Sequence, residues 1–245
     1  MTRAAFETLV VEELVDRVVV TLAREKQRNA IDAAMIGELH EVCAVVEQDP
    51  KTLILTGQGD HFAGGAAINQ LRARTRDDAL RGINRNLFDR IAALPLPTVA
   101  AIRGYALGGG AELSYACDIR IASATTVFGN PEPGLGIMAA AGASYRLPGL
   151  VGVSVAKQVL LGGRTLDADA ALRYGLVMDL VDDPLAAAHT LADRIAAQAP
   201  LALKLTKKIV DAPGVQPWAD DIAQAVLFET EDKQRRMTAF LEKKK

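Results

Sequence analysis

GYALGGGAEL, residues 104–113, carries four glycines in its first seven positions and an acid two residues after the last of them. It follows TVAAI at 98–102, a short apolar and β-rich run that predicts a buried strand. Leu113, Ala116 and Cys117 come after it at helical spacing. The segment therefore reads as strand, glycine turn, helix. Successive glycines let a backbone approach a ligand with no Cβ in the way. The first N–H groups of a helix have no acceptor within it, so they suit a carbonyl oxygen that gains negative charge. A tight turn with close packing explains the same glycines, and physics alone leaves both readings open. Two other glycine chemistries are excluded. No Gly-Lys-Ser/Thr ending follows, as a phosphate-binding P-loop needs, and Leu113 stands where a dinucleotide fingerprint needs a third small residue.

A second stretch, HFAGGAAINQL at 61–71, repeats the arrangement after TLILT at 52–56 and Gly57-Gln58-Gly59. Two such turns can aim one N–H each at a single oxygen. Two acids accompany them. Glu112 falls in the first turn of the expected helix, where the dipole alone favours a carboxylate. Glu132 lies in FGNPEPG at 128–134, between Pro131 and Pro133, which hold its backbone in one direction. Each acid also has an ordinary structural reading, as a helix-start carboxylate and as a turn glutamate.

Around these segments the pattern alternates strand and helix. Leu9–Leu14 and Arg17–Leu22 read as a hairpin about Asp16. Asp32 caps a helix running to about Val46, and Asp49-Pro50 stops it. Leu80, Ile83, Leu87, Ile91 and Leu94 predict one helix over 76–94, and Asp118–Ala122 and Thr126–Phe128 predict two more strands. From about residue 141 the periodicity is helical almost to the end. An α/β core followed by a helical C-terminal part is the expected fold class, divided as 1–190 and 191–245 within one fold unit.

The 245 residues are half apolar, about a quarter charged, and carry a net charge of −2. That balance gives no global field towards nucleic acid or an anionic membrane. Cys43 and Cys117 both continue apolar helical stripes and read as buried thiols in a reducing compartment. No apolar run reaches the ~20 residues needed to span a bilayer, and MTRAAFETL at the start has no signal-peptide core. The expected location is cytoplasmic. His40, His61 and His189 are far apart in sequence, so no metal site is expected. Gly152-Val153-Ser154-Val155-Ala156 lacks the final glycine of a nucleophile elbow.

Taken together, REKQRNAID (24–32), HFAGGAAI (61–68), GYALGGGAELSYACDIRIA (104–122), FGNPEPGLGI (128–137) and ETEDKQRRMTAFLEKK (229–244) resemble the crotonase (enoyl-CoA hydratase/isomerase) superfamily over nearly the whole chain. The resemblance implies a crotonase-like spiral of β-β-α units with a helical C-terminal trimerisation region, assembled as a homotrimer or homohexamer. It implies an acyl-CoA substrate and no separate cofactor, coenzyme A being part of the substrate. The family's two oxyanion N–H groups map onto Ala66 and Gly109, and the two hydratase glutamates onto Glu112 and Glu132. The implied reaction is syn addition of water to a trans-2-enoyl-CoA, giving a 3-hydroxyacyl-CoA. Coenzyme A would lie along Arg28, Ala30, Gly64, Ala67, Ile68 and Gly108, with Arg24, Lys26, Phe240 and Lys243 towards its phosphates.

Four departures from the family pattern, at five positions, stand out. Ala67 stands for an aspartate, Asn69 for a lysine, Ala139-Ala140 for Pro-Gly and Tyr145 for glutamine. The last two fall in a segment that borders the catalytic water in hydratases. Double-bond isomerisation and thioester hydrolysis are therefore the alternative chemistries. A coenzyme A-sensing or nucleic-acid-binding role using the basic tail is the non-enzyme alternative.

Overall fold

The computed structural model describes residues 6–212, 214 and 216–242. β1 (Leu9–Glu13) and β2 (Arg17–Leu22) form the expected antiparallel hairpin, with Val11 opposite Val20. α1 (Ala33–Gln48) begins at Asp32, whose carboxylate accepts the Met35 N–H at 2.9 Å, an N-cap worth about 1 kcal/mol. β3 (Thr52–Gly57) then lies parallel to β2. Three short helices follow, α2 (Ile68–Ala73), α3 (Arg76–Arg81) and α4 (Ile83–Ala92). They lead to β4 (Thr98–Ile102), β5 (Tyr105–Leu107), α5 (Gly109–Tyr115), β6 (Ile119–Ala122) and β7 (Val127–Gly129).

Beyond these the chain is mostly helical. It runs through α6 (Ala143–Val151), α7 (Val153–Leu160), β8 (Leu166–Asp167), α8 (Ala168–Arg173) and β9 (Asp179–Leu180). The last four helices are α9 (Pro184–Ala196), α10 (Pro200–Val210), α11 (Pro217–Phe228) and α12 (Glu231–Glu242).

The strands make a six-stranded sheet in the order β1-β2-β3-β4-β6-β9 and a three-stranded sheet in the order β5-β7-β8. Each turn of the chain adds a strand to the large sheet and then crosses to the small one, as β4 does into β5 and β6 into β7. The bridges Ile31–Ala66 and Ala63–Ala106 continue that second layer. The result is a spiral of β-β-α turns. Alternation along the parallel strands sorts the side chains. Val18, Val20, Leu53, Leu55, Ala100 and Ile102 enter the main core. Val19, Ile54, Val99 and Ala101 face the opposite way, under Ala188, Leu191 and Ala192 of α9. α9 spans residue 190, and α10, α11 and α12 bury none of their own side chains.

Two expectations are corrected. The single helix over 76–94 is two helices, because Gly82 takes a left-handed conformation (φ 61°) between α3 and α4. Asn84, Leu87, Phe88 and Ile91 turn inward, while Leu80 is left 76% exposed. The helical C-terminal stretch is also interrupted by β8 and β9, each two residues long and too short to leave a period in the sequence. Cys43 and Cys117 are free and buried as expected, and burial pushes both thiols up to about 12. Among the described residues, no helix is long and apolar enough to cross a membrane.

Candidate active site

The two glycine turns lie against each other. Ala63 donates its N–H to Tyr105 O at 3.0 Å and accepts from Leu107 N–H at 3.0 Å, which fixes residues 61–66 along β5. A Cβ on Gly110 would lie 2.3 Å from the Ala63 carbonyl oxygen, so only glycine fits there. Gly108 has φ 50°, a conformation that side chains disfavour, and it turns the chain from β5 into α5. A Cβ on Gly109 would lie 3.5 Å from the Ala66 nitrogen. Among the described residues, neither the Ala66 N–H nor the Gly109 N–H donates to a protein acceptor. Two backbone donors without a protein acceptor therefore stand near one another.

α5 is buried along its whole length. The Arg120 guanidinium, itself buried, holds the end of the helix by donating to the Ser114 carbonyl at 3.1 Å and the Cys117 carbonyl at 2.6 Å. This seats Glu112, which is 3% exposed. Glu112 Oε1 accepts the Ala141 N–H at 2.8 Å and the Ala143 N–H at 3.1 Å. Burial raises its pKa to about 7; the two N–H groups pull it down and the charge of Glu132 pushes it up.

Glu132 opens the short 3-10 turn Glu132–Leu135 directly after Pro131 and is also buried. Burial raises its pKa too, and Oε2 has no hydrogen-bond partner among the described residues. A Cβ on Gly108 would lie 3.0 Å from Glu132 Oε1. The glycine thus gives the carboxyl room beside the first turn.

Ala66, Gly109, Glu112 and Glu132 line one cavity of about 420 Å³. Its other walls include Leu71, Ile83, Asn84, Ile137, Met138 and Ala140. It combines an apolar channel, two free backbone donors and two buried carboxyls whose pKa values burial raises. Such a site can polarise a carbonyl while moving protons at neighbouring carbons. Among the described residues, no group of three His, Cys, Asp or Glu is placed to hold a metal ion.

Residues 16–245 match the family model for enoyl-CoA hydratase/isomerase. The chain belongs to this family. It is 40% identical over 243 residues to the short-chain-enoyl-CoA hydratase of Clostridium acetobutylicum, covering 93% of this chain and 92% of the relative. It is 36% identical to the crotonyl-CoA hydratase of Syntrophomonas wolfei, over 98% of this chain and 97% of that one. Among solved structures, Pseudomonas aeruginosa DspI superposes with a TM-score of 0.93 at 31% identity, covering 99% of this chain and 97% of DspI. An enoyl-CoA hydratase from Bacillus anthracis superposes with a TM-score of 0.91 at 32% identity, covering 97% of both chains. The spiral described above is the crotonase fold.

In this family member, the segment expected to meet coenzyme A lies beside the second turn. Arg28 O accepts the Gly64 N–H at 2.7 Å, and Ile31 O accepts the Ala67 N–H at 2.8 Å. Arg28 and Asn29 are both left-handed, and the Asn29 side chain holds the Gln58 and His61 carbonyls at 3.0 and 2.7 Å. Ala30 caps the bend, its carbonyl taking a bond from Arg24, which also pairs with Asp32 at 3.1 Å. Arg24 is thus engaged inside the protein, whereas Lys26 is exposed. Ile68, at the start of α2, and Phe240, on α12, are 58% and 60% exposed. Lys243 lies outside the described residues.

Of the four departures, Ala140 lines the cavity and Ala139 is buried behind it. Tyr145 does not reach the cavity. Its hydroxyl donates to Asp89 at 2.6 Å, and Arg146 binds the same carboxylate at 2.6 Å. The sequence reading missed Asn84, the polar member of the buried α4 stripe, and the Ala141 and Ala143 N–H groups. Main-chain donors carry no residue identity, so only the alanine- and glycine-rich run 139–143 hints at them.

Proposed function

We propose that this chain is an enoyl-CoA hydratase acting on trans-2-enoyl-CoA thioesters to give 3-hydroxyacyl-CoA products. The observation that carries the reading is the meeting of two free backbone N–H groups and two buried carboxyls in one cavity. The Ala66 and Gly109 N–H groups donate to the thioester oxygen as it gains enolate character. One such donor is worth roughly 100- to 1,000-fold in rate.

Glu112 and Glu132 hold one water against the double bond. Glu112, with two N–H groups on Oε1, is the carboxyl better suited to ionise. It takes a proton from the water as its oxygen bonds to C3. Glu132, whose Oε2 has no donor facing it, carries the proton and delivers it to C2 on the same face. The two carboxyls then hold exchanged protonation states, and one proton transfer through solvent resets them. Because the carboxyls repel each other as anions, they titrate as a unit.

Coenzyme A lies along Arg28, Ala30, Gly64, Ala67 and Ile68, with Gly108 beneath the thioester and Lys26, Phe240 and Lys243 towards the phosphates. Arg24 serves chiefly to hold the 24–30 bend. We also infer a homotrimer or homohexamer. The support is the apolar surface of α10–α12, where Trp218, Ile222, Val226, Met237 and Leu241 are exposed, more than a soluble surface usually presents in one region. The net charge of −2 supports a protein free of nucleic acid and membrane, and the two free, buried cysteines support a reducing compartment, the cytoplasm.

The test is incubation with crotonyl-CoA. Loss of the conjugated-thioester absorbance with no free thiol released is the expected result. Release of free coenzyme A would turn the reading to thioester hydrolysis.

A further inference from the structure

The α4 helix turns Asn84, Leu87, Phe88 and Ile91 inward on one stripe. Three of these are large apolar residues, and the fourth is an amide. Asn84 is 7% exposed, and its Oδ1 is buried with no hydrogen-bond partner among the described residues. Its Nδ2 looks the other way, into the cavity. It lies 3.9 Å from the point that a Cβ on Gly109 would occupy. No side chain fills that point in this chain, and it is 3.5 Å from the Ala66 nitrogen. The Ala66 nitrogen and the Asn84 side-chain nitrogen therefore both approach, at 3.5 and 3.9 Å, the face of Gly109 that lacks a side chain.

We propose that Asn84 is a third donor to the thioester oxygen, hydrogen-bonding it in concert with the Ala66 and Gly109 N–H groups as the enolate forms. Nδ2 bonds to no acceptor among the described residues, and a donor left so in a mostly buried side chain persists where a ligand completes it; it lines the same cavity as Ala66 and Gly109. The inference rests on the reading of Ala66 and Gly109 as the oxyanion site. It predicts an effect on the chemical step for every acyl chain alike, because the contact is to the carbonyl and not to the chain.

Three variants of the full-length protein test it. Asn84→Leu completes the apolar stripe and removes the donor. Asn84→Asp keeps the shape, removes the donor and adds negative charge. Asn84→Ala removes the whole amide. For Asn84→Leu we expect kcat on crotonyl-CoA to fall roughly 10- to 100-fold, somewhat less than for loss of a sole side-chain donor. KM should stay within threefold, and the melting temperature should be equal or higher. Asn84→Asp should fall further.

The second readout is the infrared stretch of the thioester carbonyl of 13C-labelled butyryl-CoA, which binds without reacting. Its downshift on binding to the wild type should be smaller in Asn84→Leu and Asn84→Ala. Unchanged kcat in Asn84→Leu, or a fall in kcat with an undiminished downshift, overturns the proposal. Absence of any downshift in the wild type would overturn the oxyanion reading itself. A wild type that fails to hydrate crotonyl-CoA but shifts the carbonyl in an Asn84-dependent way would sink only the hydratase reading.

Discussion

A Cβ on Gly109 would lie 3.5 Å from the main-chain nitrogen of Ala66, although 43 positions separate the two residues. The Ala63 bonds to Tyr105 and Leu107 produce this approach, and Gly110 permits it by leaving room for the Ala63 carbonyl. The contact brings the two turns to one wall of the cavity.

Gly110→Ala should therefore separate the turns. Its methyl group would meet the Ala63 carbonyl oxygen at 2.3 Å, a backbone atom that cannot move alone. Overpacking of this kind costs about 1–3 kcal/mol. A lowered melting temperature together with a drop in kcat of at least tenfold is expected; thermal unfolding and steady-state kinetics on one preparation check it.

Glu112→Gln and Glu132→Gln should each lower kcat roughly 100-fold or more, as loss of a general base or acid does. Both variants should still bind a saturated acyl-CoA, because the oxyanion donors are untouched. Calorimetric titration with butyryl-CoA beside the crotonyl-CoA assay separates the two effects. A near-normal rate in either variant would remove that carboxyl from the reaction.

The raised pKa of Glu112 has a sign that stability measurements can read. A carboxyl whose folded pKa is above its unfolded one stabilises the fold relative to its ionised state at low pH, and that contribution is lost as pH rises. Here the loss runs from the ordinary value of 4.5 to about 7. Above that window an ionised Glu112 is destabilising by on the order of 3 kcal/mol. Glu112→Gln should consequently be more stable than the wild type at pH 8, with the difference vanishing at pH 4. Denaturant melts at both pH values decide the matter. The same shift places the acidic limb of kcat/KM near 7 and not in the usual carboxylate range.

The proposed assembly of three or six chains would cover the exposed apolar side chains of α11. Ile222→Asp combined with Val226→Asp should reduce the mass in solution to that of a single chain. Light scattering coupled to size exclusion reads this directly. A wild type already monomeric at micromolar concentration would contradict the assembly.

Much of this was legible in the sequence, and the parts that were not share a cause. The glycine runs at 64–65 and 108–110, the Asp32 cap and the buried strands at 52–56 and 98–102 announce themselves because one residue type has one dominant physical use there. Glu112 and Glu132 could be singled out by residue type and setting, and the motifs together carried the family resemblance. The inward turn of Asn84 was hidden because a buried stripe is recognised by its apolar residues, and Asn84 is the polar one at helical spacing from Leu87 and Ile91. The Ala141 and Ala143 donors were hidden because any residue supplies an N–H. Tyr145 misled in the other direction. Its place beside the motif pointed to the water site, but Asp89 and Arg146 hold it outside the cavity.

The most direct test of the central claim, one water added across the double bond by two carboxyls on one face, is isotopic. Crotonyl-CoA is turned over in heavy-oxygen water and, separately, in deuterium oxide, and the product is read by mass spectrometry and NMR. The account predicts one labelled hydroxyl on C3 and one deuterium on C2, both on the same face, with the thioester intact. Deuterium at C2 or C4 with no oxygen on C3, or labelled oxygen in a free carboxylate, would contradict it.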